Sequence, residues 1–178
     1  QVAWHATLGM GLIAGVLMLR LDLLAALPVV GTKVPLGRFT GADAMAVDAA
    51  RLRDELRERT GKEPMFIAEH YGRASQLWFY LSRAGEKDVT VFAASPFMGG
   101  RRTQWDYWPR TSLLDAALIG RPAVLAGGDE PRWSKAFARV EDRGVLEGDR
   151  KRGRRVFLGE QYLGFVLPAT PTGAEVAR

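Results

Sequence analysis

The sequence contains no cysteine and only two histidines, His5 and His70. The first absence excludes a disulfide framework and thiolate metal sites. The second leaves no recognisable zinc spacing, because zinc sites need three or four converging ligands. Gly-x-Gly-x-x-Gly, Gly-x-x-x-x-Gly-Lys-Ser/Thr and Gly-x-Ser-x-Gly are also absent. Neither a dinucleotide fingerprint, a P-loop nor a nucleophile elbow can therefore be assigned. There is no internal repeat and no low-complexity block. What remains is globular: 178 residues, 47% hydrophobic and 25% charged, which allow one domain with a real core plus an appendage. A formal net charge of +5 suits an anionic partner such as nucleic acid, lipid headgroups or a pyrophosphate-linked donor.

Residues 1–30 form the apolar part of the chain. Val2–Leu19 is apolar except for His5 and Thr7 and ends at Arg20. At helical rise it spans roughly 27 Å, just short of a bilayer core. Gly11 and Gly15 have the spacing that lets membrane helices approach closely. We expect this segment to span or adjoin a membrane; the alternative is a buried helix of a globular domain. No basic stretch precedes it, as a secretory signal would require. Residues 31–40, with Gly31, Lys33, Pro35 and Gly37, read as a linker. An α/β domain is expected over 41–168, and a fraying Pro-, Thr- and Ala-rich tail over 169–178. Because the chain starts at Gln1 rather than Met, it is expected to be a fragment of a longer polypeptide.

Within the domain, Asp43–Arg59 reads as a helix with Met45, Ala49, Leu52 and Leu56 as its apolar stripe. Its charged face is expected to be solvated. Met65–Ala68 reads as a buried strand, and Leu77, Tyr80 and Leu81 mark a helix after Gly72. Asp88–Ala94 would be the next strand, closing one βαβ unit. Thr111–Ile119 reads as a short helix and Ala123–Ala126 as a strand ended by Gly127 and Gly128. Glu130–Val140 reads as a helix with Trp133, Phe137 and Val140 on one face. Gly144–Glu147, Arg154–Leu158 and Tyr162–Leu167 look like antiparallel strands with turns at Gly148 and Gly159. The expected fold is α/β: a small Rossmann-like three-layer sandwich with a mainly parallel sheet, an antiparallel edge and a preceding apolar helix.

Three stretches invite a functional reading. The junction at His70–Ser75 places a helix N-terminus after a strand, where backbone N–H groups favour phosphate; a close-packed strand–helix turn is the alternative. In Gly100-Arg101-Arg102-Thr103-Gln104-Trp105-Asp106-Tyr107-Trp108, two guanidinium groups beside three aromatics suit a phosphate and a stacked sugar or base. The alternative is that Arg101 or Arg102 pairs with Asp106 while the tryptophans anchor a loop. The run Arg150, Lys151, Arg152, Arg154 and Arg155 suits anionic headgroups, or a solvated hairpin turn. It lacks interleaved aromatics, so nucleic acid is not the expected partner.

The pattern Tyr71-Gly-x-Ala-x-x-Leu-x-Phe-Tyr-Leu81, followed by Gly100-Arg-Arg-x-Gln-x-Asp-x-Trp108, resembles the soluble C-terminal domain of bacterial polytopic glycosyltransferases. These are of the aminoarabinose-transferase and protein O-mannosyltransferase type, in the GT-C class. The motifs cover Phe66–Leu81 and Gly100–Trp108, about a seventh of the chain. The resemblance implies an accessory extracytoplasmic domain on the periplasmic side of the inner membrane, beside the membrane portion of its own polypeptide. It also implies a polyprenyl-phosphate sugar donor and a glycan acceptor as ligands. In that family the catalytic acid lies in the membrane portion, so no catalytic residue and no cofactor are assigned here. The matching positions Tyr71, Arg101, Arg102, Gln104, Asp106 and Trp108, together with neighbouring Arg73, are the ligand-binding candidates. Two other readings stand beside this one. One is a free-standing α/β protein or enzyme for a nucleotide or phosphate; the other is a binding module for an anionic surface or nucleic acid.

Overall fold

A computed structural model describes residues 2–20, 41–146 and 154–166. The chain divides into two compact units, residues 1–40 and 41–178. The expected linker over 31–40, the tail over 169–178, the turn at Gly148 and Arg150–Arg152 lie outside the described residues.

In the first unit, α1 (Val2–Leu19) is an 18-residue helix. The Thr7 hydroxyl donates back to the Ala3 carbonyl (2.9 Å), which satisfies its one polar group within the helix. Trp4, Met10, Leu12, Ile13 and Leu19 are all exposed. No helix among the described residues is long and apolar enough to cross a membrane.

The second unit begins with α2 (Ala42–Thr60), which ends at Gly61, whose N–H donates to the Arg57 carbonyl. There follow β1 (Met65–Ala68), α3 (Tyr71–Arg83), β2 (Val91–Ala93), β3 (Ala123–Ala126), α4 (Glu130–Trp133), β4 (Phe137–Val145) and β5 (Arg155–Tyr162). The five strands form a single mixed sheet in the order β2-β1-β3-β5-β4. β2, β1 and β3 are parallel, whereas β5 is antiparallel to β3 and to β4.

The parallel strands are buried on both faces, as such strands must be. Phe66, Ala68, Val124 and Ala126 meet Leu52 and Leu56 of α2 and Leu77 and Leu81 of α3. On the other face Ile67, Phe92, Leu125 and Phe157 meet Leu113, Leu118, Trp133 and Tyr162. The apolar stripe expected on α2 is thus its buried face. Its charged face does more than sit in water. Arg59 bonds Glu141 (2.7 Å) and Glu160 (2.9 Å), and Arg143 bonds Glu55 (2.6 Å), clamping α2 to the antiparallel edge. Arg53 is buried and holds Glu86 through two hydrogen bonds (2.6 and 2.9 Å). Those bonds raise the arginine and hold the Glu86 carboxyl below its ordinary range.

Several expected elements differ. The helix over Glu130–Val140 stops at Trp133, and Phe137–Val145 is instead a strand. Phe137 and Val140 have helical spacing, but β5 offers the backbone partners from Phe137↔Tyr162 to Val145↔Arg155. Gly159 is not a turn: β5 runs straight through it, between Ala123 and Val140. A Cβ there would stand 2.6 Å from the Phe137 ring, so the glycine permits a close crossing of ring over strand. β5 accordingly already contains Tyr162, and residues 163–166 are irregular. Phe165 there stacks on Phe97 at 4.4 Å. The strand expected from Asp88 starts only at Val91, because Asp88 takes a left-handed φ of 63°. Thr111–Ile119 breaks into separate 3-10 turns, Pro109–Thr111 and Ala116–Leu118, as the Asp115 carboxylate captures the Ala117 N–H (2.9 Å).

Candidate functional site

The site lies where the carboxyl ends of β1 and β2 release their loops. After β1, His70 is extended and caps α3, its Nδ1 accepting from the Gly72 N–H (3.1 Å). That satisfies the histidine locally. After β2, the Ser95 hydroxyl oxygen accepts from the Tyr71 N–H (3.1 Å), tying the two loops together. The Gly100 N–H donates to the Ser95 carbonyl (2.8 Å), which sets the exit angle of the Arg101–Trp108 segment.

That segment is held at several points. The Asp106 carboxylate accepts from the Thr103 N–H (2.7 Å) and the Thr103 hydroxyl (3.0 Å), a reciprocal cap on the short turn Gln104–Tyr107. The Trp105 indole N–H donates to the Val91 carbonyl at the free edge of β2 (3.1 Å). Its ring meets Trp78 edge-on at 5.4 Å and lies 5.9 Å from Trp108. The buried Thr111 hydroxyl bonds the Trp105 carbonyl (2.6 Å) and lies 3.2 Å from that of Trp108.

The result is an open surface cavity of about 550 Å³. Tyr71, Arg101, Arg102, Gln104, Tyr107 and Trp108 line it, with Trp105 behind them. No carboxylate, histidine or lysine is among its lining residues. Arg101 and Arg102 are exposed, and neither forms an ion pair with Asp106, which is turned toward Thr103. The chemistry available is two guanidinium forks, one carboxamide and a set of aromatic faces. Such groups can pair with an anion and stack on a ring.

Five of the seven ligand-binding candidates therefore come together: Tyr71, Arg101, Arg102, Gln104 and Trp108. Asp106 organises the backbone of the loop instead. Arg73 is buried on α3, with Nη1 3.6 Å from the sulfur of Met45 on α2. Of the basic run, Arg155 pairs with Asp142 and Arg154 approaches Glu69 (3.9 Å). Tyr107, one of the three aromatics of that stretch but not among the seven candidates, also belongs to the cavity and is 67% exposed.

The sheet has a second place where a ligand is expected. β1 and β3 are neighbours, α3 packs on one face and Trp133 of α4 on the other, so a switch-point crevice opens between them. Glu69 fills it. Its carboxylate accepts from the Gly128 N–H (2.5 Å), at the left-handed pair Gly127 and Gly128. A Cβ on Gly127 would stand 2.5 Å from that carboxyl. The backbone donor that would serve a phosphate is thus occupied by the chain's own side chain. A further cavity of about 330 Å³ lies at the amino ends of β1 and β2, beside the Arg53–Glu86 pair. It contains none of the candidate residues.

Comparison of the chain with protein-family models, curated proteins and solved structures gave no match.

Proposed function

We propose that residues 41–168 form an accessory, donor-binding domain of a membrane glycosyltransferase that uses a polyprenyl-phosphate-linked sugar. The carrying observation is the cavity itself. It gathers Tyr71 from the start of α3 and Arg101, Arg102, Gln104 and Trp108 from the segment after β2, with no carboxylate among them. Guanidinium forks suit a phosphodiester and exposed aromatic faces suit a sugar ring. With no carboxylate in the cavity lining, glycosyl transfer draws its carboxylates from elsewhere in the parent polypeptide. The mixed sheet, with α2 and α3 on one face, is read as a Rossmann-like sandwich whose switch point is closed by Glu69.

The membrane part of the proposal draws on α1. Its apolar side chains are exposed along its length, the pattern of a helix surrounded by lipid or other apolar helices. At about 27 Å it does not complete a crossing by itself. On this reading the domain stands on the extracytoplasmic side of the inner membrane, next to the rest of its polypeptide and the glycan acceptor.

The test is a tryptophan-fluorescence titration of the chain with a short-chain prenyl-phosphate hexose. Saturable quenching is expected, weakened roughly tenfold by Arg101→Gln or Arg102→Gln through loss of a charge-assisted bond. Trp108→Ala should remove most of the signal. No saturable change, or binding indifferent to both arginines, overturns the proposal.

A further inference from the structure

Residues 71, 75, 78 and 79 of α3 stand at i, i+4, i+7 and i+8, a single stripe along the helix. Tyr71 is 36% and Phe79 57% exposed, and Ser75 is exposed between them. Trp78 meets Trp105 edge-on, which joins the stripe to the cavity wall. Beyond that wall Tyr107 and Trp108 are 67% and 49% exposed. Stripe and cavity are thus one continuous aromatic surface beside the edge strand β2, with Arg101 and Arg102 in it and no carboxylate in the cavity lining. A run of exposed rings of this kind marks an interaction surface. Its partner must be apolar and anionic together.

We propose that this surface docks on the interface of an anionic phospholipid bilayer. Tyrosine and tryptophan settle at headgroup depth, where one end of the ring meets hydrocarbon and the other water. Arginine lays its stem along the apolar boundary and sets its guanidinium among the phosphates. The cavity then opens toward the membrane, and a lipid-linked sugar enters it sideways without leaving the bilayer. This inference rests on the donor reading above for the identity of the entering lipid only; the docking itself is carried by the aromatic and arginine pattern.

The absence of cysteine makes the test direct. Ser75→Cys and, separately, Ala138→Cys on the exposed edge strand β4 are labelled with an environment-sensitive fluorophore in the full chain. Ala138 lies four strands away from the docking edge. Each labelled chain is mixed with vesicles of phosphatidylcholine alone or with one-third phosphatidylglycerol. With anionic vesicles, the label at 75 is expected to shift to the blue and to lose iodide quenching several-fold, while the label at 138 stays aqueous. Arg101→Gln and Arg102→Gln should each lower the docked fraction about fivefold, and Phe79→Ser with Trp108→Ser should abolish the shift. Equal iodide access at 75 and 138 overturns the inference, even if α1 carries the chain to the vesicle. If the soluble prenyl-phosphate hexose binds while the label at 75 stays in water, docking fails and the donor reading stands. A buried label without donor binding upholds docking and removes the donor reading.

Discussion

Gly159→Ala offers a sharp probe of the antiparallel edge. In an exposed hairpin turn, the substitution would matter little. In β5 the new methyl would stand 2.6 Å from Cδ1 of Phe137, a ring that is only 2% exposed and has nowhere to swing. Two effects oppose each other. Replacing glycine restricts the unfolded chain and favours folding by about 0.5–1 kcal/mol. Forcing a methyl into a packed core costs about 1–3 kcal/mol. The clash should win, leaving the variant about 1–2 kcal/mol less stable. Phe137→Leu alone should cost about 1–2 kcal/mol, since it empties space and loses the ring contact with Tyr162 at 5.2 Å. Combined, the two changes should compensate by about 1 kcal/mol or more, because the leucine leaves room for the methyl. Urea unfolding followed by fluorescence measures all three, with the fully buried Trp133 as a reporter on the same face. A neutral Gly159→Ala, or a double variant additive within about 0.5 kcal/mol, would refute the placement of Phe137 over β5.

Three further outcomes are expected. Glu86 is held below its ordinary value of 4.5 by hydrogen bonds from Arg53, so its contribution to stability is full above about pH 4.5 and disappears as pH falls through the depressed value. Glu86→Gln should flatten that acid limb in pH-dependent urea midpoints. Tyr162 donates to the Leu113 carbonyl (2.7 Å), and burial pushes its hydroxyl up to about 12. Folding therefore favours its neutral form; that stability is present below about pH 10 and is lost as pH rises toward 12. Tyr162→Phe should weaken this alkaline loss and cost about 1–2 kcal/mol at neutral pH by leaving a buried carbonyl unpaired. Trp105→Phe, which removes the indole bond to Val91, should cost about 1 kcal/mol and weaken prenyl-phosphate hexose binding in the same titration.

The parts of the fold that were legible in the sequence are those whose signals are local. Leu52 and Leu56 lie on one helical stripe, Met65–Ala68 is an unbroken apolar run, and Gly61 closes α2; each shows within a few residues. The candidate cavity was partly legible for the same reason, since Arg101, Arg102, Gln104 and Trp108 lie within one short stretch. Arg73 beside the first motif and Asp106 within the second have other contacts, one buried against Met45 and one turned back to Thr103. Spacing along a chain does not say which way a side chain turns.

The sequence by itself determined the central βαβ unit, the buried faces of α2 and α3, and the cluster of arginine and aromatic residues, because short-range periodicity and local chemistry encode them. Only the tertiary structure decided that Phe137–Val145 is a strand, that Gly159 is a crossing point, and that Glu69 closes the switch-point crevice. Each depends on partners distant in sequence: Arg59 meets Glu141 across 82 positions, and Gly128 meets Glu69 across 59. Backbone pairing with β5 outweighed the helical spacing of Phe137 and Val140, and no local window contains that partner.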